Sequence, residues 1–190
     1  NIVERYGGCG ECMDAIEFCK KNLSRHRRIN ALAFGFPCND FSTVGEWKGM
    51  HGKYGNLYKA GVMAIERCNP YWFVAENVSG IHYTDSGRTF KKILNELEAS
   101  GKYGYELTTH LYKFELYGVP QYRHRYIIVG IRKDFKKKFR VPHPTHGAKL
   151  KPLINANEAC RNIPSNAANS ELPVMKERVV LRLKFTAPWH

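Results

Sequence analysis

The sequence predicts an α/β fold: a mostly parallel sheet carrying an antiparallel hairpin at one edge. From residue 31 to residue 99, runs suited to buried strands alternate with helical periodicity, the order expected of βαβ units. Two further strand-like runs, 105–112 and 126–131, then follow with no helix between them, which implies a chain reversal and an antiparallel pair. A chain of 190 residues, 43% hydrophobic and 25% charged, is large enough for one globular domain with its own core.

The elements follow in order. Residues 12–23 read as a helix with Met13, Ile16 and Cys19 on an apolar stripe. Residues 31–36 are a buried strand that closes on Gly35-Phe36-Pro37-Cys38. Segment 39–56 holds Gly45, Gly49, Gly52 and Gly55 with Lys48 and Lys53 among them, too long and glycine-rich for a plain connection, and reads as a functional loop. A helix is expected over 57–68, with Leu57, Gly61, Ala64 and Cys68 near one face and Asn69-Pro70 as its stop. Strand 71–75 delivers Glu76-Asn77-Val78 at its end. The helix over 88–99 places Phe90, Ile93, Leu94 and Leu97 on one face, and Gly101 closes it. After Arg132, Lys136-Lys137-Lys138 and several prolines describe an exposed, irregular segment, and 174–184 read as a last helix.

Thirty Lys and Arg against seventeen Asp and Glu give a formal net charge of +13, which suits either a polyanionic partner such as nucleic acid or a merely basic soluble protein. No apolar run reaches the roughly 18 residues of a membrane span. The six cysteines, with no export signal, read as reduced thiols of an intracellular protein. Cys9-Gly10-Glu11-Cys12 with Cys19 and His26 offers ligands that zinc accepts. No second pair follows and Cys19 belongs to a helical stripe, so no metal site is expected.

The chemistry gathers at strand ends, the edge of an α/β sheet where ligands bind. Cys38 there is either a small buried hydrophobe or a nucleophile. Glu76 alone reads as a surface or capping carboxylate, Arg123 and Arg125 alone as phosphate contacts, and Asn77 as a turn-stabilising residue. Together they suit one reaction. A thiolate that adds to carbon 6 of cytosine makes carbon 5 nucleophilic, while an acid at N3 and a cation near O2 stabilise the charge that develops. The ring must leave the duplex for carbon 6 to be reached.

In these residues the chain resembles the cytosine-C5 methyltransferases that use S-adenosyl-L-methionine. Gly35-Phe36-Pro37-Cys38 with Phe41-Ser42 is similar to the catalytic motif, Glu76-Asn77-Val78 to the Glu-Asn-Val motif, and Gln121-x-Arg123-x-Arg125 to the Gln-x-Arg-x-Arg motif. Gly55-Asn56-Leu57 resembles the motif whose leucine touches the cofactor. The resemblance spans roughly residues 30–185 and departs from many members at Asn39, where they carry Gln. It implies a Rossmann-like methyltransferase sheet, incomplete at both ends, with S-adenosyl-L-methionine as cofactor and double-stranded DNA as partner.

By the same resemblance Cys38 is the nucleophile, Glu76 contacts N3 and the amino group, Arg125 approaches O2, and Arg123 supports the acid. Pro37 and Leu57 line the cofactor pocket. Phe36, through its carbonyl, Ser42, Asn77 and Gln121 are substrate contacts. The family's Phe-x-Gly-x-Gly loop is absent upstream, since Tyr6-Gly7-Gly8-Cys9-Gly10 follows no strand.

The expected organisation is a poorly defined segment 1–30, a catalytic core 31–132, and a segment 133–190 leading toward a missing target-recognition domain. The expected setting is the bacterial cytoplasm, in a restriction-modification system. On this reading the isolated chain binds cofactor weakly and needs the missing N- and C-terminal parts or a complementing subunit. A transfer-RNA cytosine methyltransferase and a non-catalytic or split nucleic-acid-binding piece stay open as alternatives.

Overall fold

The computed structural model describes residues 14–21, 23, 29–36, 57–164 and 167. Two compact units divide the chain, Asn1–Leu153 and Ile154–His190. In the first, the order is α1 (Ala15–Lys21), β1 (Ala31–Gly35), α2 (Tyr58–Cys68), β2 (Trp72–Val78), α3 (Arg88–Ala99), β3 (Tyr105–Lys113) and β4 (His124–Arg132). The second contains the short helix α4 (Ala156–Cys160), capped by the Asn155 side chain, which accepts from the Glu158 amide at 2.8 Å. The helix expected over 174–184 lies outside the described residues.

The strand order is β1-β2-β4-β3. β1 and β2 pair in parallel, whereas β4 pairs antiparallel with both β2 and β3. The expectation of a mostly parallel sheet is therefore corrected: the α/β character and the edge hairpin stand, but most pairings are antiparallel. The cause is where the one reversed strand sits. β4 carries the continuous apolar run Tyr126-Ile127-Ile128-Val129, which gains most from burial on both faces. It occupies the interior position, and the more polar β3, with Glu106, Thr108, Thr109 and His110, takes the edge.

Helices α2 and α3 contribute to a core on one face of the sheet, with Ile65, Ile93, Leu97, Phe73, Tyr105 and Ile128 fully buried. Each such side chain contributes on the order of 1.5–3 kcal/mol. α3 presents Phe90, Ile93 and Leu97 to this core, three of the four positions read from its periodicity, and the fourth, Leu94, packs against it half-buried. α2 ends where expected: Asn69 takes a left-handed conformation (φ 45°, ψ 52°) and Pro70 prevents continuation. The Tyr105 hydroxyl donates to the Pro70 carbonyl at 2.6 Å, and burial above all raises its pKa to about 12. On β4, Gly130 leaves room for the Phe73 ring, which a methyl group at that position would overlap.

On the opposite face Trp72, Val74, Ile127, Val129 and Ile131 line an apolar groove of about 560 Å³ together with Phe135 and Phe139. The segment after β4 is irregular, as its composition predicts. Its Phe139 carbonyl accepts from Thr108 Oγ1 at 3.0 Å, Lys138 pairs with Glu106, and the Thr145 and His146 amides both donate to the Leu116 carbonyl at 2.9 Å. No helix among the described residues is long and apolar enough to cross a membrane.

Candidate active site

Three segments distant in sequence meet where β1 and β2 end and β4 begins. The register sets Gly35 beside Glu76 and Val78 beside Arg125. Side chains alternate along β2, so Asn77 points into the core and Glu76 to the other face. Glu76 Oε1 accepts from Arg125 Nε at 2.8 Å, and Arg123 Nη2 lies 3.7 Å from the same oxygen. Oε2 faces Gly35, 3.5 Å from where a Cβ on that glycine would stand. The Glu76 side chain remains 38% exposed, so a ligand can reach it. Arg125 is held from a second side, because its Nη1 donates to the His124 carbonyl at 2.8 Å.

Asn77 is 1% exposed. Its Nδ2 donates to the Phe36 carbonyl at 3.4 Å, and its Oδ1 accepts from the Val78 amide at 2.8 Å. It thus links the end of β2 to the residue that precedes Pro37-Cys38. A carbonyl has two lone pairs, so this bond leaves the Phe36 oxygen able to accept a second donor. Phe36 itself is buried against Phe34 and Tyr58.

Leu57 immediately precedes α2 and borders a cavity of about 440 Å³ with Gly35, Phe36, Gly61, Leu32 and Asp14. The lining is largely apolar. Asp14 is the acid on its rim, and its Oδ1 accepts from the Glu17 amide at 2.9 Å, the bond of a helix N-cap. Gln121 is exposed in the β3–β4 connection, beside Tyr122, which is 81% exposed.

Pro37, Cys38, Ser42 and the loop 39–56 lie outside the described residues, as do Cys9, Cys12 and His26. Cys19 is buried with Leu23, Ala64 and Cys68, and its thiol donates to the Ala60 carbonyl at 3.4 Å. Burial raises the pKa of Cys19 and Cys68, so both are packing groups.

The residues that sequence reasoning passed over are Glu115 and His124. Glu115 Oε1 lies 2.8 Å from His124 Nε2, and the glutamate is only 8% exposed. Burial pushes its carboxyl pKa up, but the His124 hydrogen bond, a backbone bond and the nearby charges of His124 and Lys113 hold it below the ordinary glutamate value. One signal was available: period-two alternation in Arg123-His124-Arg125 puts the histidine on the face opposite both arginines.

The model of the C-5 cytosine-specific DNA methylases matches residues 10–188. The chain is 52% identical over 178 residues to the type II methyltransferase M.BbvI of Brevibacillus brevis, covering 93% of this chain and 47% of that protein. It is 41% identical over 142 residues to the type II methyltransferase M.NgoFVII of Neisseria gonorrhoeae, covering 73% and 37%. A solved E. coli structure titled as a prophage-encoded DNA modification methyltransferase matches with a TM-score of 0.53 at 23% identity, covering 78% of this chain and 38% of that one, a likeness of fold. The chain thus spans about half the length, or less, of the curated relatives it matches.

Proposed function

The chain belongs to the C-5 cytosine-specific DNA methylase family, and from that premise we propose that the protein methylates carbon 5 of a cytosine turned out of double-stranded DNA. The observation that carries this reading is the convergence of Glu76, Arg123 and Arg125 on one point beside the end of β1. That point is where a ring attacked by Cys38 would need its acid and its cation.

The Cys38 thiolate forms a bond to carbon 6, and the displaced π electrons make carbon 5 nucleophilic. Glu76 holds a proton at N3, and Arg125 stabilises negative charge at O2 while keeping Glu76 oriented. Arg123, the more exposed of the two arginines, supports the same carboxylate and the adjoining phosphate. The Phe36 carbonyl accepts from the exocyclic amine, and Ser42 and Gln121 are the residues assigned to contact the DNA. Loss of the carbon 5 proton to water restores the double bond, expels the Cys38 thiolate and returns the N3 proton to Glu76, so the enzyme returns unchanged.

Bound S-adenosyl-L-methionine supplies the methyl group. The cavity beside Leu57 suits its adenosyl part: about 440 Å³ falls in the size range of ligand pockets, the walls are apolar, and the floor is the end of β1. Pro37 and Leu57 are the residues assigned to hold it. The relatives, bacterial proteins named type II methyltransferases, support a role in restriction-modification in the bacterial cytoplasm. We assign the choice of DNA sequence to further parts of such an enzyme or to a complementing subunit.

Trapping on 5-fluorocytosine oligonucleotides tests the reading, because fluorine at carbon 5 blocks the final elimination and leaves the adduct in place. With cofactor added, full-length protein should become covalently attached to the DNA oligonucleotide and not to its RNA counterpart. Cys38→Ser should form no adduct. An adduct that survives this substitution, or one formed only on RNA, refutes the assignment.

A further inference from the structure

Two arginines on one face hold Glu76, and a pair made of half-exposed His124 and buried Glu115 sits on the other face. Beyond the last ladder pair, Lys113 with His124, the β3–β4 connection is held by Phe114 N–H donating to the Arg123 carbonyl at 3.0 Å, by bonds within the loop, and by the Thr145 and His146 amides on the Leu116 carbonyl. The 3₁₀ turn Phe114–Tyr117 ends at Gly118, in a left-handed conformation (φ 82°). A side chain there would also meet the His146 imidazole at 2.7 Å. Glu115 belongs to this turn and reaches back to His124, which stands between Arg123 and Arg125.

A buried carboxylate is costly to keep. Among the described residues Glu115 Oε2 has no hydrogen-bond partner. An apolar residue would fill the site at lower cost, so packing alone does not account for a carboxylate here. The task is visible in the backbone. His124 contributes the carbonyl that accepts from Arg125 Nη1, so anything that fixes the His124 ring also fixes the acceptor that aims Arg125.

We propose that Glu115 and His124 form a positioning clamp that holds the Arg123–Arg125 segment at the depth where both guanidiniums meet Glu76. The inference rests on the methyltransferase reading for its kinetic consequence and on the geometry alone for its structural one. Glu115 and His124 are positioning residues: neither touches substrate, and both act through Arg125.

The test uses the full-length protein, with Glu115→Ala, His124→Ala, the double variant and Glu115→Gln, in which an amide oxygen still accepts from His124. Adduct formation on 5-fluorocytosine DNA reports both the fraction of competent sites and the rate per site. Each alanine variant should slow the rate per site by about tenfold to 100-fold, as misplacement of a catalytic group by about 1 Å does, with KM for DNA nearly unchanged. The double variant should be no slower than the slower single one, and Glu115→Gln should recover most of the rate. Unchanged rates per site, or a loss confined to fewer competent sites and a lower Tm, overturn the clamp. Failure of wild-type protein to trap would instead refute the methyltransferase reading. The Arg125 Nε–H resonance then still decides the clamp: it should lose the shift conferred by the Glu76 bond in Glu115→Ala, and an unmoved resonance overturns it.

Discussion

Asn77→Ala removes two bonds made by a side chain that is 1% exposed. The Val78 amide loses an acceptor at 2.8 Å, and the Phe36 carbonyl loses a donor at 3.4 Å. A buried group left unpaired costs about 1–3 kcal/mol. The shorter bond should account for about 2 kcal/mol and the longer one for about 1, about 3 kcal/mol together. For a domain of this size that lowers Tm by roughly 6–12 °C. Asn77→Asp separates the two bonds, since its carboxylate still accepts from Val78 but sets oxygen against the Phe36 carbonyl. Burial and that carbonyl both raise the folded-state pKa of the new carboxyl. The Asp variant should therefore be held best at low pH, where the protonated group can donate, and lose stability as pH rises through that pKa. Thermal unfolding across pH, followed by circular dichroism, reads both effects. An Ala variant within about 1 °C of wild type, or Ala and Asp variants that melt alike at every pH, would refute this account of the β1–β2 link.

Two further predictions concern chemistry and packing. Glu76→Gln keeps an acceptor for Arg125 but cannot hold a proton at N3, so kcat should fall by about 10²–10⁴-fold with KM for DNA nearly unchanged. Steady-state methylation measures this, and near-normal kcat would remove Glu76 from the acid role. Gly130→Ala forces a methyl group into the Phe73 ring in the centre of the sheet and should cost about 1–3 kcal/mol in urea unfolding. A neutral result would mean that β4 and Phe73 do not approach so closely.

The helices over 57–68 and 88–99 were legible because both carry strong apolar periodicity and end on Asn69-Pro70 and near Gly101, signals set by neighbours in sequence. The site was legible through residue type at strand ends: Glu76, Arg123 and Arg125, read separately, come together on one carboxylate oxygen. Asn77 was harder. Its type suits a turn, and only the register that buries it beside Phe36 shows that it joins two strands. Glu115 gave still less to read, since a glutamate within Phe-Glu-Leu-Tyr looks like a surface residue until its histidine partner closes over it.

By itself, then, the sequence determined the local elements, the sheet edge at which Glu76, Arg123 and Arg125 meet, and the family. Those depend on periodicity, turn residues and motif spacing, all properties of short stretches. The tertiary structure alone decided that β4 inserts between β2 and β3, that most pairings are therefore antiparallel, and that His124 faces Glu115. Strand order follows from which surfaces are worth burying on both faces, a competition among segments far apart in the chain. No stretch of residues states its outcome.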